Sequence, residues 1–218
     1  MNLKKLFLKY CVEKKFEIDQ NQVEIINHLQ YYYIQNFKQS FFSKLFSRKV
    51  DKLGFYLAGD VGVGKTMILN FFFNQLKQKK LRLHFNEFMI NFHDFIFQNK
   101  SNKKKSGIDY FVKDLKTKTE LIYFDEFQVT NIVDAMILGK LFKKIFEVNI
   151  KVIFSSNINI NNLYKDGLQR DQFIPFMKIL KECCCEKDLL IKEDYRTTKN
   201  INLKRFLSPI NESTNFIF

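Results

Sequence analysis

Strands alternating with helices predict an α/β fold, a three-layer sandwich in which a five-stranded parallel sheet is covered by helices on both faces. Three observations carry this expectation. Five short apolar runs rich in strand-forming residues recur along the chain, and segments with apolar residues at helical period separate most of them. The first run leads straight into a glycine-rich turn, "AGDVGVGKTM", and that turn opens into a helix. At 218 residues the chain is long enough to bury a full core as one domain with a short appendage.

Taken in order, "MNLKKLFLKYCVEKK" alternates lysines with Leu, Phe and Tyr at helical spacing. It reads either as a helix packed on the domain or as one lying on an anionic membrane surface. "DQNQVEIINHLQYYYIQNF" places Val23, Ile26, Leu29, Tyr33 and Phe37 at helical period, predicting a helix that ends near the basic "FSRKVDK". The first strand is expected over 53–58 and the helix after the glycine turn over 65–80, with Ile68, Leu69, Phe72 and Leu76 on one side. A second strand over 81–85 precedes a helix to residue 98, and the polar "NKSNKKKSG" over 99–107 is the clearest loop. "ELIYFDEF" holds a third strand over 121–124, followed by the helix "NIVDAMILGKLFKKIF". The fourth strand is expected over 151–155 and the fifth around 189–191. The implied domains are an N-terminal helical segment over 1–50, a core over 51–198 and a short C-terminal remnant over 199–218.

Composition narrows the function classes. The net charge is +13, but the excess is nearly all lysine and is spread along a chain also rich in Asn, Ile and Phe, as an AT-rich genome would encode. It is therefore not taken as a nucleic-acid-binding surface. Four cysteines, three of them consecutive at Cys183, Cys184 and Cys185, form no disulfide framework and have no zinc spacing. No apolar run reaches the length of a membrane span.

The chemistry lies in four motifs. Gly59, Asp60, Val61, Gly62, Val63, Gly64, Lys65 and Thr66 meet the pattern G-x-x-x-x-G-K-[ST]. Its glycines let backbone N–H groups wrap an anion, its lysine reaches the outer phosphates, and its threonine ligates magnesium. The strand before it and the helix after it are the context the pattern requires. "LIYFDE" then supplies Asp125 at a strand end as a magnesium residue, with Glu126 beside it as the base that polarises water. Asn157 ends the strand in "VIFSSN", where an amide can hold that water or the γ phosphate; taken alone it reads as a turn residue, and its position after the other two motifs favours the functional reading. Arg170 in "DGLQRDQFIPF" reads as an arginine reaching a neighbour's nucleotide or as a solvated surface residue. The absence of N-K-x-D tilts the base towards adenine.

Beyond the motifs, "YLAGDVGVGKTMILNFFF", "LHFNEFM", "FDEFQVTNIVDAMILGKLF", "SSN" and "LYKDGLQRDQFIPF", followed by "EDYR", together resemble the ZapE cell-division ATPases of bacteria and their mitochondrial Afg-type relatives, within the AAA+ superclass. The resemblance runs from Phe16 to Pro209. It implies an ATPase with ATP and magnesium as cofactors, acting on a protein substrate among division-ring or inner-membrane proteins. It also implies homo-oligomerisation and a cytoplasmic place with peripheral contact at the inner membrane. In that reading Gly59 to Thr66 is Walker A, Asp125 and Glu126 are Walker B, Asn157 is sensor 1 and Arg170 is the arginine finger. Family members continue beyond the region of "DYR" and "FLSPI", so a chain ending at Phe218 is expected to carry a shortened lid. The competing expectations are a nucleotide-binding module without productive turnover and a nucleic-acid ATPase of the helicase-loader kind.

Overall fold

The computed structural model describes residues 1–38, 52–99 and 107–190. Two helices come first, α1 (Leu3–Lys14) and α2 (Gln20–Tyr33), each started by a side chain that accepts from the open turn. Asn2 accepts from the Lys5 N–H at 3.0 Å, and Asp19 from those of Asn21 and Gln22 at 2.7 and 3.1 Å. A turn of wider π-type helix, Ile34–Lys38, extends α2. The rest alternates: β1 (Gly54–Ala58), α3 (Lys65–Gln75), β2 (Lys80–His84), α4 (Phe85–Gln98), α5 (Gly107–Lys118), β3 (Leu121–Asp125), α6 (Ile132–Glu147), β4 (Lys151–Ser156), α7 (Ile174–Cys183) and β5 (Cys184–Asp188).

The five strands pair in parallel in the order β2-β3-β4-β1-β5. Because side chains alternate across a strand, each face of the sheet gathers its own core. On one face Phe55, Leu57, Leu121, Tyr123 and Ile153 pack against α1, α2 and α3. On the other, Tyr56, Ile122, Phe124, Val152 and Phe154 pack against α4 to α7. This second core is dominated by phenylalanine: the Phe127 ring meets Phe85 at 4.6 Å and Phe154 at 4.8 Å, both edge to face.

The N-terminal helix turns its apolar stripe onto the protein. Leu3, Phe7 and Cys11, spaced four apart, are fully buried, and the Phe7 ring meets Phe71 of α3 at 5.2 Å. Its lysines lie on the opposite, outward side. Among the described residues no helix is long and apolar enough to cross a membrane.

Two expectations are corrected. The fifth strand lies earlier than expected, at Cys184–Asp188, with Gly54 opposite Cys184 and Ala58 opposite Asp188; of the expected 189–191, Leu189 and Leu190 follow it. The apolar "LLI" looked like the strand, yet the sheet takes the cysteine run because Gly54 leaves room for it. A Cβ at Gly54 would run into the Cys184 thiol and stand 3.3 Å from its Cα. The helix expected to reach residue 80 ends at Gln75, since Lys80 is already paired opposite Leu121 in β2. Helices α5 and α7 had no counterpart in the sequence reading. All four cysteines are free thiols.

Strand β2 passes into α4 with no loop between them, His84 closing the strand and Phe85 opening the helix. Further along α4, His93 Nε2 stands 2.7 Å from Asp134 Oδ1 in the first turn of α6. Most of "FSRKVDK", the loop over 100–106, residue 191, "EDYR" and the expected remnant over 199–218 lie outside the described residues.

Candidate functional site

In an open parallel sheet, function gathers beyond the carboxyl ends of the strands. Here β1 runs into the glycine turn, β3 ends at Asp125 and β4 ends next to Asn157, and these three strands are neighbours in the sheet.

Gly59, Gly62 and Gly64 all have positive φ, which turns the backbone between β1 and α3 back on itself. Gly64, at φ 98°, caps α3, and a side chain there would meet the Gln22 amide at 2.7 Å. That amide donates to the Val63 carbonyl at 3.1 Å, and Asn21 donates to the Leu190 carbonyl at 2.9 Å. The start of α2 therefore holds both the glycine turn and the chain leaving β5. Asp60 and Val61 lie exposed on the turn, and Val63 is buried beneath it.

Lys65 is only 7 % exposed, yet its ammonium is fully engaged. It donates to the Gly59 and Asp60 carbonyls, both at 2.7 Å, and to Asn157 Oδ1 at 2.9 Å. Burial lowers its pKa, while the charges of Asp60 and Asp125 pull the other way. The next residue, Thr66, donates through its hydroxyl to Asp125 Oδ1 at 3.3 Å. Asp125 also accepts from the Tyr123 hydroxyl at 3.1 Å and from Arg82 Nη2 at 2.6 Å. Burial, and then the neighbouring Asp125 charge, push the Tyr123 phenol well above its ordinary value.

Glu126 has φ 53°, a left-handed conformation uncommon for a residue with a side chain. The turn is held because the Phe127 N–H donates to the Ser155 carbonyl at 2.6 Å and Ser156 Oγ donates to the Phe127 carbonyl at 2.8 Å. Its carboxylate is 77 % exposed, with His84 Nδ1 3.9 Å away. The polar cluster thus brings together Lys65, Thr66, Asp125 and Asn157, with Glu126 at its rim. Arg170 is not part of it. That residue opens a short 3-10 turn before α7 and donates to the Asn161 carbonyl at 2.9 Å.

Residues 1–216 match the profile of the AFG1-like ATPase family. The chain belongs to that family. Among its AFG1-like relatives, lactation elevated protein 1 homolog B of Danio rerio is 40 % identical over 154 residues, 66 % of this chain and 31 % of that one. Cell division protein ZapE of Escherichia coli K12 is 35 % identical over 164 residues, 74 % of this chain and 43 % of that one. This AFG1-like chain accordingly spans between about a third and under half of the length of these curated relatives. The crystal structure of DnaI shares the fold with a TM-score of 0.51 at 16 % identity, covering 79 % of this chain and 86 % of that one. The α/β sandwich with its five-stranded parallel sheet is the P-loop AAA+ fold expected from the sequence.

Three contributors escaped sequence reading. Arg82 sat in an alternating strand with no motif to mark it. Tyr123 looked like one more apolar strand residue. Gln22 follows Asp19 by three positions, the D-x-x-Q spacing of a helix start, and that was the one available signal.

Proposed function

We propose that the chain binds ATP with magnesium, hydrolyses it, and uses the cycle to remodel a protein partner. The convergence of Lys65, Asn157, Thr66 and Asp125 beyond the ends of three adjacent strands carries this reading. The N–H groups of the turn from Gly59 to Gly64 and the positive end of α3 cradle the phosphates, and Lys65 exchanges a carbonyl for a phosphate oxygen. Thr66 and Asp125 offer hard oxygen donors 3.3 Å apart, a pair suited to magnesium. Bound there, the metal neutralises charge on the outer phosphates.

Glu126 takes the proton of a water attacking the γ phosphorus. The bond to the bridging oxygen breaks, and ADP and phosphate leave. Asn157 orients the γ phosphate or the water, and Arg170 serves the site of the next subunit in a homo-oligomer. The name of the relative ZapE supports division proteins as partners, and the mitochondrial branch of the resemblance supports inner-membrane proteins. The same comparison supports a cytoplasmic place with peripheral membrane contact. The N-terminal segment over 1–50 and the core over 51–198 act as one nucleotide-binding unit in this reading.

Phosphate release by the full chain, compared with Lys65→Ala and repeated with single-stranded DNA, tests it. The expected result is magnesium-dependent release that the substitution abolishes and DNA does not stimulate. Equal rates from the two proteins sink the enzyme reading, and stimulation that fades with salt moves it to nucleic acid.

A further inference from the structure

Nothing in the hydrolysis scheme uses Arg82. It comes from β2, at the edge of the sheet, where the register sets it opposite Tyr123 of β3. Side chains two apart on a strand share a face, so Tyr123 and Asp125 form one row and Arg82 reaches along it. Its guanidinium lies over the Tyr123 ring with Cζ 5.3 Å from the centroid, and Nη2 stands 2.6 Å from Asp125 Oδ2. The other carboxylate oxygen, Oδ1, is bonded to Tyr123 and Thr66. The Asp125 side chain is only 7 % exposed, so its charge needs a partner, and Arg82 supplies it.

We propose that Arg82 is the resident counter-ion of Asp125 and sets the concentration of divalent cation at which the nucleotide site fills. This rests on the reading of Thr66 and Asp125 as the magnesium pair. Guanidinium and metal draw on one carboxylate, so the attraction given to Arg82 is withheld from the metal. The planar fork stacked on Tyr123 holds the place more firmly than a hydrated ammonium would. Being 42 % exposed, Arg82 keeps its charge hydrated when it yields Asp125 to a cation. It is a positioning residue, acting through Asp125.

The test uses the full chain, Arg82→Gln and Arg82→Lys. Magnesium is titrated at fixed concentration of a fluorescent ATP analogue, binding is repeated in EDTA, and thermal midpoints are taken with and without magnesium nucleotide. For Arg82→Gln the half-saturating magnesium falls about threefold or more. Binding in EDTA stays unchanged, and a lowered midpoint in EDTA recovers towards wild type when magnesium nucleotide is added. Arg82→Lys lies between, and decides by the same sign if the glutamine variant does not fold. Unchanged or raised half-saturating magnesium overturns the inference. Weaker binding in EDTA also overturns it, making Arg82 a phosphate ligand. Wild type that binds no nucleotide in a magnesium-dependent way removes the nucleotide reading itself, and this inference with it.

Discussion

Lys65 and Asn157 lie 92 positions apart in the chain and 2.9 Å apart in space, ammonium against amide oxygen. The bond fixes the end of β4 to the first residue of α3, across the ground where a γ phosphate would sit. Replacing Asn157 with alanine leaves Lys65 its two carbonyl partners, so nucleotide affinity is expected to change little. Single-turnover hydrolysis is expected to fall about a hundredfold, the scale of losing one oriented polar group from a transition state.

Glu126 separates binding from chemistry in a different way. Its side chain is exposed and, among the described residues, meets only His84 at the surface, so Glu126→Gln is expected to fold and bind ATP as wild type does. Turnover is expected to drop by about a hundredfold or more, the contribution of a positioned base. Filter binding of labelled ATP beside phosphate release checks both halves, and a variant that hydrolyses normally removes Glu126 from the role.

Stability is expected to fall in alkali. Burial raises the phenols of Tyr32, Tyr56 and Tyr123 above their ordinary 10.0. Above that value the unfolded chain loses these protons while the native protein keeps them. The stabilisation is full below about pH 10 and drains away as pH climbs through the raised native values. Lys65 and Lys80, lowered by burial, work in the opposite sense, but the tyrosine shifts are the larger. Urea midpoints at about pH 8 and about pH 11, read with tyrosinate absorbance, check the sign. Tyr32, Tyr56 and Tyr123 are expected to ionise only on unfolding.

Gly54→Ala is expected to cost about 1–3 kcal/mol, because the added methyl overlaps the Cys184 side chain across β1 and β5. Denaturant unfolding measures it. Adding Cys184→Ala should recover part of the loss, and full additivity of the two would show that they do not meet there.

The central strands were legible because both faces of β1, β3 and β4 are buried, and a strand buried on both faces reads as a continuous apolar run. The edges were not. Strand β5 reads "CCEKD", with its polar residues partly exposed at the rim, so the more apolar residues beyond it drew the assignment. At the site, Lys65, Thr66, Asp125 and Asn157 could be picked out because each lies at or beyond the end of a central strand within a recognisable motif, and the structure brings Lys65 to Asn157 and Thr66 to Asp125. Arg82 and Gln22 were hidden because their partners lie 43 and 41 positions away, and only strand register and helix docking bring them near. Helix α5 lost its start in a lysine-rich loop, whereas α7 was hidden inside a motif read for its arginine.

Strand β2 and helix α4 form one continuous piece of chain, joined directly at His84 and Phe85. Arg82 and His93 sit on its two arms, β2 and α4, the first held against Asp125 and the second against Asp134. The ion pair at the sheet edge and the contact at the start of α6 thus anchor one continuous piece of chain at two places, so the rim of the sheet and the first turn of α6 are tied through β2 and α4.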